Sequence, residues 1–240
     1  MLYALREPLA FVALVAGFLA AVLARGLTQA WTARLLGIRS FEFRRREKPD
    51  LRVHVDPFGA IGAALAGLGW GTPAPIEEID TRARYGHIRG RGLWRIGAVL
   101  ASGPLAVAVL GTAVLYAGGA TATDPLNVLS AASTTDFLHA DNGLTDYFGT
   151  GPAMLLCAGV AMLGVAFLAI VPIPPLDGGR FLLAVGPTSP GWQRVRHYAE
   201  QNWGVAVLLG LLLIPISSDG SLLLVLFDAA AGPLLDLVGG

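Results

Sequence analysis

The chain has 240 residues, 54% apolar and 14% charged, with 17 basic and 17 acidic side chains that cancel. A soluble domain carries about a quarter charged residues, so this composition, with a mean hydropathy of +0.62, excludes an ordinary water-soluble fold. The single cysteine, Cys157, excludes a disulfide framework and a thiolate zinc site, and reads as a small core residue.

Windows 9–24, 96–118, 152–171 and 203–216 contain no Asp, Glu, Lys or Arg. A bilayer core takes about 20 helical residues, so the chain reads as a polytopic membrane protein. The windows recur too often to be one signal sequence, and no A-x-A-like cleavage site follows the first. Residues 8–37 read as one long helix, with Pro8 near its start and Gly37 at its end. In 38–56, Phe41, Phe43, Leu51, Val53 and Val55 alternate with polar neighbours around Lys48-Pro49-Asp50, which predicts a small membrane-associated β-hairpin. The stretch 57–70 is short for a span and is flanked by basic segments, which predicts a re-entrant segment.

A loop over 71–92, a span over 93–118 and an acidic loop over 119–150 follow, and 150–171 is a further span. Beyond a Gly/Pro-rich connector at 186–191, a span over 203–216 is interrupted at Ser217-Ser218-Asp219-Gly220, and an apolar tail fills 221–238. The expectation is an all-α bundle of four main spans with re-entrant and interfacial additions, as one membrane domain over 1–240.

Charge placement predicts orientation. Arg39, Arg44, Arg45, Arg46, Lys48 and Arg52 lie in 38–56; Arg82, Arg84, Arg89, Arg91 and Arg95 in 80–95; Arg180, Arg194 and Arg196 in 176–202. Loop 119–150 carries only Asp124, Asp136, Asp141 and Asp146. By the positive-inside rule the basic loops are cytoplasmic, and 119–150 and the C-terminus lie outside. Arg44-Arg45-Arg46 is a candidate for anionic lipid. Arg89-Gly90-Arg91 lacks aromatic interleaving, so no nucleic-acid role is expected. Arginine outnumbers lysine 16 to 1, which points to a high-GC bacterial genome and a bacterial inner (plasma) membrane.

Two features carry chemistry. Pro172-Ile173-Pro174-Pro175-Leu176-Asp177 follows an uncharged span, so broken backbone and a carboxylate meet at or near membrane depth. In the first helix, Arg25, Thr28, Gln29 and Thr32 share one face after an apolar lead. Arg25 is the basic residue placed deep enough to partner Asp177. Two readings stand side by side: Arg25 pairs with Asp177, supported by Thr28 and Gln29, or Arg25 snorkels while Asp177 caps a local turn.

Several segments together resemble the site-2 protease family of intramembrane zinc metalloproteases, in its compact bacterial form. Leu176-Asp177-Gly178-Gly179-Arg180 resembles the family's LDG segment; His54-Val55-Asp56-Pro57-Phe58-Gly59 its H-x-D-P-x-G stretch; Gly69-Trp70-Gly71-Thr72-Pro73-Ala74-Pro75 its G-W-A-K-P-V-P loop. Gly103-Pro104-Leu105-Ala106 is similar to G-P-L-A-N, and Ala33-Arg34-Leu35-Leu36-Gly37 to the A-R-L-L-G that closes the zinc helix. The resemblance covers roughly 25–185 and implies a site-2 protease-like helical bundle in which Asp177 matches a zinc ligand.

The departures fall on the catalytic motif. The family's H-E-x-x-H aligns with Arg25-Gly26-Leu27-Thr28-Gln29, which places Arg25 and Gln29 at the zinc-ligand positions and Gly26 at the general base. The family's asparagines, which the resemblance assigns to substrate or oxyanion binding, fall on Val107 and Ala169. His54, His87, His139 and His197 are read as solvated or hydrogen-bonded, not as a rebuilt metal site. The expectation is therefore a pseudoprotease: not an enzyme, no zinc, and an ion pair between Arg25 and Asp177 in the metal's place. Its role would be accessory subunit or adaptor among other integral membrane proteins. Leu126, Leu129, Phe137, Leu138, Tyr147, Phe148 and the tail 221–238 would supply exposed docking surface. The alternative is an atypical intramembrane metallopeptidase with a rebuilt or metal-free site.

Overall fold

A computed structural model describes residues 1–38, 40–76, 79, 91–122, 133–139, 144–187, 189–199, 203–217 and 220–239. After a short 3-10 turn at Leu2–Arg6, helix α1 runs from Pro8 to Leu35, with proline at its first position, where the missing N–H costs nothing. Then come α2 (Phe41–Arg46), α3 (Leu51–His54), α4 (Pro57–Ala66) and α5 (Arg91–Thr121), the last with Pro104 inside it. Helices α6 (Thr134–His139) and α7 (Leu144–Phe148) precede α8 (Thr150–Ile170). The Pro-rich turn leads into α9 (Asp177–Val185), followed by α10 (Pro190–Tyr198) and α11 (Gly204–Leu213). A two-stranded antiparallel pair, β1 (Pro215–Ser217) and β2 (Gly220–Ser221), precedes α12 (Leu222–Gly239).

Helices α1, α5 and α8 are long and apolar enough to cross a membrane, and each packs on the other two. Small residues set their separation. A Cβ on Gly17 of α1 would lie 2.5 Å from the Ala158 carbonyl of α8, and one on Gly159 of α8 would lie 2.7 Å from Leu115 of α5. Where lipid and protein are equally apolar, this close approach is what drives helices together. The largest cluster of buried apolar side chains runs through this triple contact and takes in Leu68 and Trp70 after α4, and Phe227 and Leu235 of α12.

Four expectations change. The hairpin over 38–56 is instead α2 and α3. Each is capped by a side chain, Ser40 accepting from Phe43 N and Asp50 from Arg52 N, and those caps favour helix over the apolar alternation. The fourth span is a 10-residue helix, α11, cut short by Pro215 and the β1–β2 turn. Phe137, Leu138 and Phe148 are fully buried in the core rather than exposed for docking. Leu126, Leu129, His87, Arg82, Arg84 and Arg89, and the side chains of Arg91 and Tyr147, lie outside the described residues. The tail is divided: Leu223, Phe227 and Leu235 are buried, while Leu222, Val225 and Leu226 are exposed.

Segment 57–70 begins and ends at one place, because an antiparallel bridge joins Val55 to Gly71 and Thr72 N donates to His54 O at 2.8 Å. Between them α4 spans ten residues, starting on an Asp56 cap that accepts from Gly59 N and ending at Gly67, whose φ of +86° only glycine adopts readily. The return strand lies so close that a Cβ on Gly59 would sit 2.0 Å from the Trp70 carbonyl.

Candidate functional site

Helical spacing puts Arg25 and Gln29 one turn apart on the α1 face turned into the protein, and both are buried. Asp177 reaches them from the first turn of α9, where a negative charge complements the helix dipole. Arg25 grips both carboxylate oxygens: Nη2 donates to Oδ1 at 2.5 Å and Nε to Oδ2 at 2.8 Å. Gln29 Nε2 donates to the same Oδ2 at 2.8 Å and lies 3.5 Å from the Leu100 carbonyl of α5. A two-point guanidinium–carboxylate contact is among the strongest polar contacts a protein makes. Helix α1 and the start of α9 thus meet at one carboxylate, and Gln29 links the pair to α5.

Glycines clear the space. A Cβ on Gly103 would lie 2.8 Å from Arg25 Cγ and 2.9 Å from Gln29 Nε2, so the Gly-Pro-Leu-Ala segment lets α5 pass over the pair. A Cβ on Gly178 would lie 2.1 Å from the Ile170 carbonyl, which keeps the turn after α8 tight enough to present Asp177.

Thr28 does not join the group. Its hydroxyl donates to Ala24 O at 2.7 Å within α1. Arg25 Nη1 reaches the Thr72 carbonyl at 3.3 Å, which ties in the loop of the Gly-Trp-Gly-Thr-Pro segment.

His54 is the residue that sequence reasoning sets aside and the structure brings in. It is 2% exposed, Nε2 lies 3.1 Å from Lys48 O, and Nδ1 has no partner among the described residues. A Cβ on Gly26 would fall 2.0 Å from Nδ1, so the ring fills the space that a side chain at position 26 would take. Burial holds its pKa below the usual histidine range; the Lys48 carbonyl opposes that shift and the Arg46 charge adds to it. The available signal is the glycine itself: a vacancy in a packed helix face calls for a neighbour to fill it.

Beside the carboxylate lies an apolar cavity of about 600 Å³, walled by Leu100 and Leu105 of α5, Ala169 and Ile170 of α8, and Phe181 and Leu182 of α9. Among the described residues Asp177 is the one charged side chain that lines it. Ala169, at a family asparagine position, faces this cavity, whereas Val107, at the other, is buried in the core. The arrangement can clasp α1 to the Pro-rich turn and can receive an apolar group next to that clasp.

No protein-family model matches the chain, and no solved structure does. Among curated proteins it is similar to the "Putative zinc metalloprotease YwhC" of Bacillus subtilis (strain 168), 29% identical over 168 residues, which cover 69% of this chain and 64% of that protein. The chain thus spans a little under two thirds of the relative it matches. The likeness supports a site-2 protease-like membrane protein and corrects two expectations. A relative named as a zinc metalloprotease points toward proteolysis, against the expectation of a non-enzyme, and toward zinc, against the expectation of no cofactor. The side chains gathered at Asp177 do not fit a zinc ion: its oxygens are taken by a guanidinium and an amide. Arginine has no lone pair to offer a metal. Among the described residues no three His, Cys, Asp or Glu side chains converge.

Proposed function

We propose that this chain holds a membrane-embedded polypeptide segment in the cavity between α5, α8 and α9, as an accessory subunit or adaptor of a larger membrane protein complex. The observation that carries the reading is the cavity itself: its walls are apolar and Asp177 lies beside them. Ligand sites are commonly apolar clefts with a few placed polar groups. The similarity to a relative named as a zinc metalloprotease favours a polypeptide occupant. In this reading the Arg25–Asp177 pair is structural and fixes the Pro-rich turn that forms one wall. The chain sits in a bacterial inner membrane with α2 and α3 at the cytoplasmic face, and α4 enters and returns from that face. A helix of ten residues is about 15 Å long, half a bilayer core.

Photo-crosslinking in native membranes tests this. A photoreactive residue at Leu105 or Phe181, in the cavity wall, is expected to capture a polypeptide, and one at exposed Val109 outside it is not. Equal capture at all positions, or none at Leu105 and Phe181, overturns the reading. Mass spectrometry of the captured segment separates holding from cutting, since a cut segment ends near the crosslink.

A further inference from the structure

Arg46 is a buried cation with no carboxylate in contact among the described residues. It ends α2, is 7% exposed, and its Nη1 reaches only the Thr72 carbonyl, at 3.4 Å, which Arg25 Nη1 also reaches. Its Nε has no partner, and no carboxylate lies within 4.0 Å of it among the described residues. Among the described residues the nearby acids are engaged elsewhere: Glu47 pairs with Arg34 at 2.7 Å, Glu42 faces Arg45 at 4.0 Å, and both oxygens of Asp177 are held by Arg25; Glu77, Glu78 and Asp80 lie outside the described residues. Burial, and then the charge of Arg25, push the Arg46 pKa down to about 10 against the more distant negative charges of Glu42 and Asp177, so it remains a cation at neutral pH. A charge taken out of water needs a counter-charge.

The surroundings point to where one comes from. Arg44 and Arg45 are exposed on the same short helix, and Trp31, Leu35, Phe41 and Leu51 expose apolar side chains around it. Basic heads above apolar side chains match the boundary between headgroups and acyl chains.

We propose that Arg46 is the recognition residue of a binding site for a phosphate oxyanion at the membrane surface, supplied by a phospholipid headgroup or by free phosphate. The planar guanidinium fork suits two phosphate oxygens. Exposed Arg44 and Arg45 add long-range attraction without setting geometry.

The test uses the full chain in an uncharged detergent. Binding of short-chain phosphatidylglycerol is compared with binding of short-chain phosphatidylcholine, and thermal stability in inorganic phosphate with stability in sodium chloride of equal ionic strength. Arg46→Met is expected to reduce phosphatidylglycerol binding by roughly fivefold or more, and Arg44→Met by less than that. A loss specific to Arg46→Met with phosphatidylglycerol identifies the headgroup as the source. Stabilisation by inorganic phosphate that Arg46→Met abolishes identifies the free ion. Equal losses for the two variants, or no anion effect at all, overturn the site. Arg46→Lys keeps the charge and loses the fork, so it is expected to fall between the wild type and Arg46→Met; binding equal to wild type also overturns it.

Discussion

His54 and Gly26 share one space: the imidazole Nδ1 stands 2.0 Å from where the Cβ of any other residue at position 26 would be. Gly26→Ala therefore forces the ring or the α1–α3 contact to move, and is expected to destabilise the protein by about 1–3 kcal/mol, the usual range for overpacking. Adding His54→Ala to Gly26→Ala should return part of that loss. Unfolding titrations of the single and double variants measure it, and strictly additive losses would contradict the shared space.

Arg25 and Asp177 form the second testable pair. Removing one partner, as in Arg25→Ala or Asp177→Ala, leaves a buried charge uncompensated and is expected to cost about 3–5 kcal/mol. Replacing both, as Arg25→Met with Asp177→Leu, should cost much less, because well-packed apolar groups substitute for buried pairs at little net penalty. A double-mutant cycle in detergent reads the coupling, and a near-zero value would remove the clasp from the account.

His54 also predicts a pH dependence. Its folded pKa lies below the unfolded value of 6.5, so the unfolded chain takes up the extra proton first as the pH falls. Stability is thus expected to decline as pH drops below about 6.5. The charged groups facing the ring are Arg46, Asp50 and Arg25, and the two arginines oppose its protonation. His54→Gln should flatten this part of the profile. A wild-type profile that rises toward acid would contradict the shift.

The tail offers a fourth. Asp228 Oδ1 in α12 accepts from Thr134 N at 2.8 Å and from its hydroxyl at 2.6 Å, which joins α12 to the start of α6. Asp228→Ala leaves the Thr134 donors unmet, at a cost of about 1–3 kcal/mol, and should raise hydrogen exchange in α6 and α12 before α1 and α8. Uniform exchange across all four helices would count against a local latch.

How far the chain can be read without its structure follows from what each signal encodes. The three long helices are legible because uncharged windows of that length have few alternative fates, and the five family-like segments because turn-forming Gly and Pro are position-specific. The approach of Arg25 and Gln29 to Asp177 is open to inference from depth alone: a buried carboxylate beside an uncharged span has few cations within reach. The alternation of Phe41 and Phe43 misleads because helices of four to six residues carry too little periodicity to tell from strand, and the Ser40 and Asp50 caps decide. Burial of Phe137, Leu138 and Phe148 depends on how a loop folds back on α8 and α12, which no local pattern encodes. His54 is hidden for a similar reason: its environment is set by a glycine 28 positions away.

The clasp also has a timetable. Arg25 precedes Asp177 by 152 residues, so on a ribosome adding about 5–20 residues per second the guanidinium is made roughly 8–30 s before its counter-charge. During that interval it must be kept hydrated at the insertion machinery or at the bilayer surface. Completion of the bundle is thereby tied to the arrival of the Pro-rich turn, and a chain truncated before Asp177 would present an unneutralised arginine to membrane quality control.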